Sequence, residues 1–202
     1  MNEGMSEDIS ARYPRTVAVG QISVELRLMT AEDEAAVLAF ASTLPRHDLL
    51  FLQRDISAAP VMAAWVREIE AGHTPSLLAL QDGDIVGCSA VVSDPHSFSP
   101  HVGDVRVVLA ANARTHGLGR LLVQESFLLA LSLGLEKLTA HMTADQEAAI
   151  KVFEDLGFRG EALLRNHVRD ADNTLHDLVV LSHDVAAVQG KMALYGLDEA
   201  FE

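Results

Sequence analysis

Apolar and polar residues alternate over residues 22–28, Ile-Ser-Val-Glu-Leu-Arg-Leu, as they do in a half-buried strand. The period then changes. Thr30, with Asp33 three residues on, forms a capping box, and Val37, Leu38, Ala41 and Leu44 give one apolar helical face that Pro45 ends. Leu49, Leu50, Phe51 and Leu52 form a short apolar patch. A second helix starts at Ser57, carries Val61, Met62, Trp65 and Ile69 at helical spacing, and stops at Gly72. Residues 76–81 and 85–92 read as strands joined by the turn Asp82-Gly83-Asp84, a hairpin. A loop bracketed by Pro95 and Pro100 leads to a strand at 102–109, a glycine turn, and a helix from Leu118 to Leu133. A short strand at 135–142 follows, then a second capping box, Thr143 to Gln146. It opens a helix with Ala149, Ile150, Phe153 and Leu156 on one face. Residues 163–168 and 175–181 form a final strand pair.

The order β, α, α, β, β, β, α, β, α, β, β predicts an α/β (α+β) domain, a mixed sheet with helices on both faces. The expected organisation is a loosely docked N-terminal arm (1–20), one domain (21–184) and a C-terminal extension (185–202) with a short helix. A chain of 202 residues can bury a full core without staples. Its single cysteine, Cys88, leaves no internal disulfide, and its first ten residues hold no apolar signal segment, so the cytoplasm is the expected compartment. No stretch is apolar and long enough for a membrane span; Gln124, Glu125 and Ser132 interrupt the best one.

The net charge of −14 argues against nucleic acid, which needs a basic face. It favours cationic partners through the long-range field, or serves only solubility. An acidic chain that binds an anion must do so locally. The place for that is Arg114-Thr115-His116-Gly117-Leu118-Gly119-Arg120, between a strand and a helix N-terminus. Glycines there permit close approach, and amides and the helix dipole converge on one spot. A Walker A loop would need Lys-Ser or Lys-Thr where Arg120-Leu121 stand, and a dinucleotide fingerprint would need a small residue at Leu122. A glycine turn entering a core helix is the alternative.

Arg114-x-x-Gly117-x-Gly119 resembles the Arg/Gln-x-x-Gly-x-Gly/Ala motif of the GNAT superfamily of N-acetyltransferases, and Phe153-Glu154-Asp155-Leu156-Gly157-Phe158 resembles its second segment. The resemblance covers residues 21–184. It implies a mostly antiparallel sheet whose middle strands, 102–109 and 135–142, splay apart around acetyl-CoA as co-substrate. Val107 and Leu109 would meet the pantetheine arm, and the backbone of Thr115, His116, Gly117, Leu118, Gly119 and Arg120 the pyrophosphate, with Arg114 as a further cofactor-binding candidate. The acceptor would be a primary amine of a small molecule or a protein. A homodimer is the implied assembly. In the ribosomal-protein acetyltransferases a catalytic Glu stands five residues before a helix-starting Asn; the equivalent positions here are His141 and Gln146. His141 is therefore the implied base. The general-acid Tyr of many members is Phe153 here, which cannot donate a proton. A non-catalytic acyl-CoA-binding regulatory module is the alternative function. His101 and Asp104 are candidates to line the acceptor site. The nine histidines show no close ligand spacing, so no metal site is expected.

Overall fold

The computed structural model describes residues 9–52 and 54–185. Eight strands form one sheet in the order β1-β2-β3-β4-β5-β6-β8-β7. They are β1 (Arg15–Val19), β2 (Ile22–Leu28), β3 (Ser76–Gln81), β4 (Asp84–Ser93), β5 (Val102–Leu109), β6 (Lys137–Thr143), β7 (Arg159–Arg169) and β8 (Leu175–Asp184). Among the described residues they are accompanied by the helices α1 (Glu34–Thr43), α2 (Ala59–Glu70), α3 (Leu118–Ser132) and α4 (Glu147–Asp155). The apolar patch at Leu49 to Leu52 belongs to a 3-10 helix, Arg46–Leu52. Neighbouring strands are antiparallel except β5 and β6, which are parallel. No helix among the described residues is long and apolar enough to cross a membrane.

Local chemistry accounts for the element ends. The β3–β4 turn has Asp82 and Gly83 at φ 52° and 90°, the two left-handed positions of a type I′ hairpin. The Asp33 carboxylate accepts the Thr30 amide at 2.9 Å and is gripped by both terminal nitrogens of Arg27 at 2.8 and 2.7 Å. The first capping box is thus tied back to β2. In the second, Gln146 Oε1 accepts the Thr143 amide at 3.2 Å, and the helix begins at Glu147.

Strand alternation feeds two cores, one on each sheet face. On one, Val105, Leu138, Ala140 and Met142 pack with Leu118, Leu122 and Leu129 of α3 and with Phe153 and Phe158. On the other, Leu78, Cys88, Val108 and Leu178 pack with Val37 and Phe40 of α1, Leu49, Phe51 and Leu52, and Met62 and Val66 of α2.

The expected N-terminal arm requires correction. Residues 15–19 are an edge strand in full register with β2, from Arg15 against Leu26 to Val19 against Ile22. The reason is a buried charge. Glu125 of α3, 4% exposed at its side chain, accepts the Tyr13 hydroxyl at 2.6 Å, pairs with Arg15, and takes a longer contact of 3.5 Å from Arg12. A lone carboxylate in that position would be expensive, so three partners from the N-terminal segment hold it. The expected C-terminal helix beyond Val185 lies outside the described residues.

Candidate active site

The site begins where two strands part. β5 and β6 pair only at Val102–Lys137, Gly103–Leu138 and Asp104–Thr139. Beyond that point β5 stays paired with β4 as far as Leu109, and β6 stays paired with β8 as far as Thr143. The β5 edge from Val105 onward, Val107 and Leu109 included, therefore has no strand partner on the β6 side. Unpaired amides and carbonyls on that edge are available to an extended ligand, as at any sheet edge.

The glycine turn stands at the far end of β5. Gly117 has φ 87°, the left-handed conformation that a side chain would strain, and α3 starts at Leu118. The first helical amides lack intrahelical partners by geometry. Leu121 is the first to bond back, to the Gly117 carbonyl at 3.2 Å. A Cβ on Gly119 would sit 3.2 Å from Leu109 Cδ1, so the glycine keeps the space between turn and strand. Thr115 and Arg120 are exposed, Leu118 is buried, and His116 is half-buried. Arg114 and Arg120 bring two positive charges to the turn, and the fold engages one of them. Arg114 Nη2 binds the Asp48 carboxylate at 2.5 Å and the Leu109 carbonyl at 3.2 Å, bracing the turn against the 46–52 segment. Arg120 has no ion-pair partner among the described residues. The N-terminal hairpin supports the same turn. Gly20, at φ 59°, lies so close that a Cβ would meet the His116 carbonyl oxygen at 2.9 Å.

His141 lies at the fork itself. Asp104 is opposite Thr139 in the last parallel pair, and His141 is two residues further along β6, on the same face. Its Nδ1 is 2.8 Å from Asp104 Oδ1. Thr139 Oγ1 donates to that oxygen at 3.2 Å, and Arg106 Nε donates to Oδ2 at 2.8 Å. Burial pushes the Asp104 carboxyl up, but the His141 hydrogen bond and the Arg106 charge outweigh it and hold the carboxyl below its usual range. An ionised Asp104 fixes the proton on Nδ1 and leaves Nε2 as the basic nitrogen. Nε2 has no protein partner among the described residues. Sequence reading offered Asp104 and His141 as separate candidates. The signal that joins them is the parallel register, which no local pattern contains.

Arg106 also lines a cavity of about 540 Å³ between β4, β5 and α2. Cys88, Ala90 and Val108 line its sheet side, and Trp65, Arg67 and Glu68 its α2 side. Arg54, His73, Asp94 and His96 contribute as well. The Trp65 indole nitrogen is fixed on Ser76 Oγ at 3.0 Å. The cavity carries three arginines against two carboxylates, although the whole chain is strongly acidic.

Four other residues resolve simply. Burial pushes the Cys88 thiol up to about 12, so it is a core residue and no nucleophile at neutral pH. Burial and the Glu125 hydrogen bond push the Tyr13 hydroxyl far above its ordinary value, and its proton is committed to Glu125 of α3. Phe153 is buried and meets Phe158 edge-on at 4.9 Å, the packing of an apolar anchor. His101 is exposed at the surface.

Residues 47–158 match the model of the acetyltransferase (GNAT) family. That is more than half of the chain, and the protein belongs to this family. Solved structures agree on the fold. An N-acetyltransferase from Staphylococcus aureus Mu50 is 21% identical, with TM-score 0.70, over 80% of this chain and 98% of that one. A phosphinothricin acetyltransferase from Sinorhizobium meliloti, solved in complex with AcCoA, is 17% identical with TM-score 0.69, over 80% and 88%. A ribosomal-protein-alanine N-acetyltransferase from Brucella melitensis is 21% identical with TM-score 0.66, over 79% and 98%. No protein of curated function matches the sequence. The expected GNAT fold, with its splayed middle strands, is the fold observed.

Proposed function

We propose that the protein is an N-acetyltransferase that moves an acetyl group from acetyl-CoA to a primary amine, with His141 as the base. The observation that carries the reading is the Asp104–His141 pair at the point where β5 and β6 part. Acetyl-CoA supplies an activated acyl thioester. The open edge of β5 and the space kept by Gly119 fit its pantetheine arm, and the amides at the start of α3 fit its pyrophosphate. An amine with a pKa of roughly 10 must lose a proton to attack. His141 Nε2 accepts it as the nitrogen–carbon bond forms. The same imidazolium then returns a proton to the sulfur as the carbon–sulfur bond breaks. That second step removes the need for a tyrosine at position 153. Backbone amides along the free edge of β5 offset the charge that builds on the carbonyl oxygen.

The acceptor is a small amine that also carries an anionic group. Support comes from the cavity beside the pair. Arg54 and Arg67 have no carboxylate partner among the described residues, and Arg106 joins the cavity to Asp104. This reading departs from the cationic acceptor that the net charge favours, because an acceptor senses the local field of its pocket more strongly than a screened total. A thiol-release assay with acetyl-CoA and matched amine pairs, each an amino acid and its uncharged amide, tests both points. Turnover of the amino acids in preference is expected. Equal or better turnover of the amides overturns the anionic acceptor, and no thiol release across a broad amine panel overturns the transferase.

A further inference from the structure

Away from the fork, the fold gathers two imidazoles and two carboxylates that are far apart in sequence. His47 comes from the 46–52 segment, Asp145 from the turn before α4, Asp170 from the β7–β8 turn and His176 from β8. His47 Nε2 lies 2.7 Å from Asp145 Oδ2, and His176 Nε2 lies 2.8 Å from Asp170 Oδ2. The rings of the two histidines meet edge-on at 4.9 Å. Ligand atoms of His47, Asp170 and His176 all fall within 4.8 Å of one another. The side chains of His176 and Asp170 are only 21% and 18% exposed.

We propose that His47, Asp170 and His176, with Asp145 as fourth donor, form a site for a divalent transition metal such as zinc. The donor set, two imidazoles and two carboxylates, suits zinc, cobalt or nickel and not calcium or magnesium. Ligand atoms around tetrahedral zinc stand roughly 3.3 Å apart, from bonds of about 2.0 Å. Two pairs here are already closer than that, and His47, Asp170 and His176 lie within 4.8 Å of one another, so these three close on an ion by moving inward, and Asp145, which meets the group through His47, follows. Asp170 is also prepared for the task. Its Oδ1 accepts the amides of Asp172 and Thr174, both at 2.9 Å, which turns Oδ2 towards His176. Outer hydrogen bonds of this kind orient metal ligands.

The site clips the 46–52 segment to the β7–β8 hairpin. That segment lies across β5, β6 and β7. It also carries Asp48, which holds Arg114 of the glycine turn, and Leu52, which lines the cavity. Spacing along the chain gives no sign of this, since the donors stand at positions 47, 145, 170 and 176.

The test uses the full chain without a polyhistidine tag, stripped with a chelator and dialysed. Titration with zinc chloride by calorimetry is expected to give one ion per chain. Zinc at about 100 times Kd raises Tm by roughly 5–10 °C for a chain of this size. Cobalt gives the visible absorption of a four-coordinate centre. His176→Ala and His47→Ala each weaken zinc binding at least 100-fold and abolish the Tm rise, while Tm in chelator matches wild type. Asp170→Asn, which keeps the turn's shape, serves if either alanine variant does not fold. The proposal is overturned if wild type shows no stoichiometric zinc binding at micromolar concentration. It is equally overturned if the folded variants bind zinc as wild type does, because the ion would then sit on other histidines.

Discussion

Replacing Asp104 by asparagine keeps the side chain's shape but removes one acceptor. Asp104 uses Oδ1 for His141 and Thr139 and Oδ2 for Arg106. Asparagine has one oxygen, and Arg106 can only donate, so the oxygen goes to Arg106. The amide NH2 then faces His141 Nδ1 and donates to it. The imidazole proton moves to Nε2, the nitrogen that must be bare to accept the proton of the amine. Hydrogen bonds to charged groups contribute about 1.5–3 kcal/mol. Taking about 2 kcal/mol as the loss at the transition state, kcat falls about 30-fold. The KM for acetyl-CoA should change by less than about 2-fold, because Asp104 does not touch the glycine turn. The assay is steady-state thiol release at saturating acetyl-CoA, run as a pH series. His141→Ala should lower kcat further, by about 100-fold or more, and flatten the acid limb of the wild-type profile. The double variant should be no slower than His141→Ala alone, since Asp104 acts through His141. Turnover of Asp104→Asn within about 2-fold of wild type would refute the tautomer argument. So would a double variant much slower than His141→Ala, which would give Asp104 a separate role.

Gly119→Val places a branched side chain where even a Cβ meets Leu109 at 3.2 Å. CoA affinity, measured by calorimetry on the variant once its fold is verified by circular dichroism, should fall at least 10-fold; unaltered affinity would remove the turn from the binding site. Glu125→Ala strands Tyr13 and Arg15. It should cost about 2 kcal/mol after allowance for the part-exposed arginines, lowering Tm by roughly 4–8 °C. It should also raise the KM for acetyl-CoA, because the N-terminal hairpin supports His116; an unchanged Tm would show that the cluster is not stabilising. The Arg27 hydrogen bonds hold the Asp33 carboxyl below its usual range, against the opposing effect of burial. A carboxyl depressed in the folded state contributes stability above its unfolded pKa of about 4 and loses it as pH falls through the folded value. Denaturant unfolding of Asp33→Asn should therefore show a loss of about 1–2 kcal/mol at pH 7 that shrinks towards pH 2. A loss independent of pH would contradict the ionic origin.

The sequence by itself determined the elements and the turn. Alternation over residues 22–28, the apolar runs either side of the Asp82-Gly83-Asp84 turn, the two capping boxes and the glycines at 83, 117 and 157 are local devices, and local geometry answers to them. Gly117 and Gly119 marked the glycine turn for the same reason: a left-handed φ and a close approach are properties of one or two residues. β1 escaped because its cause is not local. The Val17 and Val19 alternation is short, and the force that docks it is the buried Glu125, more than a hundred residues away. The Asp104–His141 pair depended on the parallel register of β5 and β6, which only the assembled sheet sets. The pairing of Arg114 with Asp48 was not legible along the chain, and the acidic total gave no sign of a cavity that gathers Arg54, Arg67 and Arg106. Net charge is a sum over the chain, whereas a pocket responds to the few groups within a Debye length of it. Which side chains meet across the fold, and so which chemistry they can share, was decided by tertiary structure.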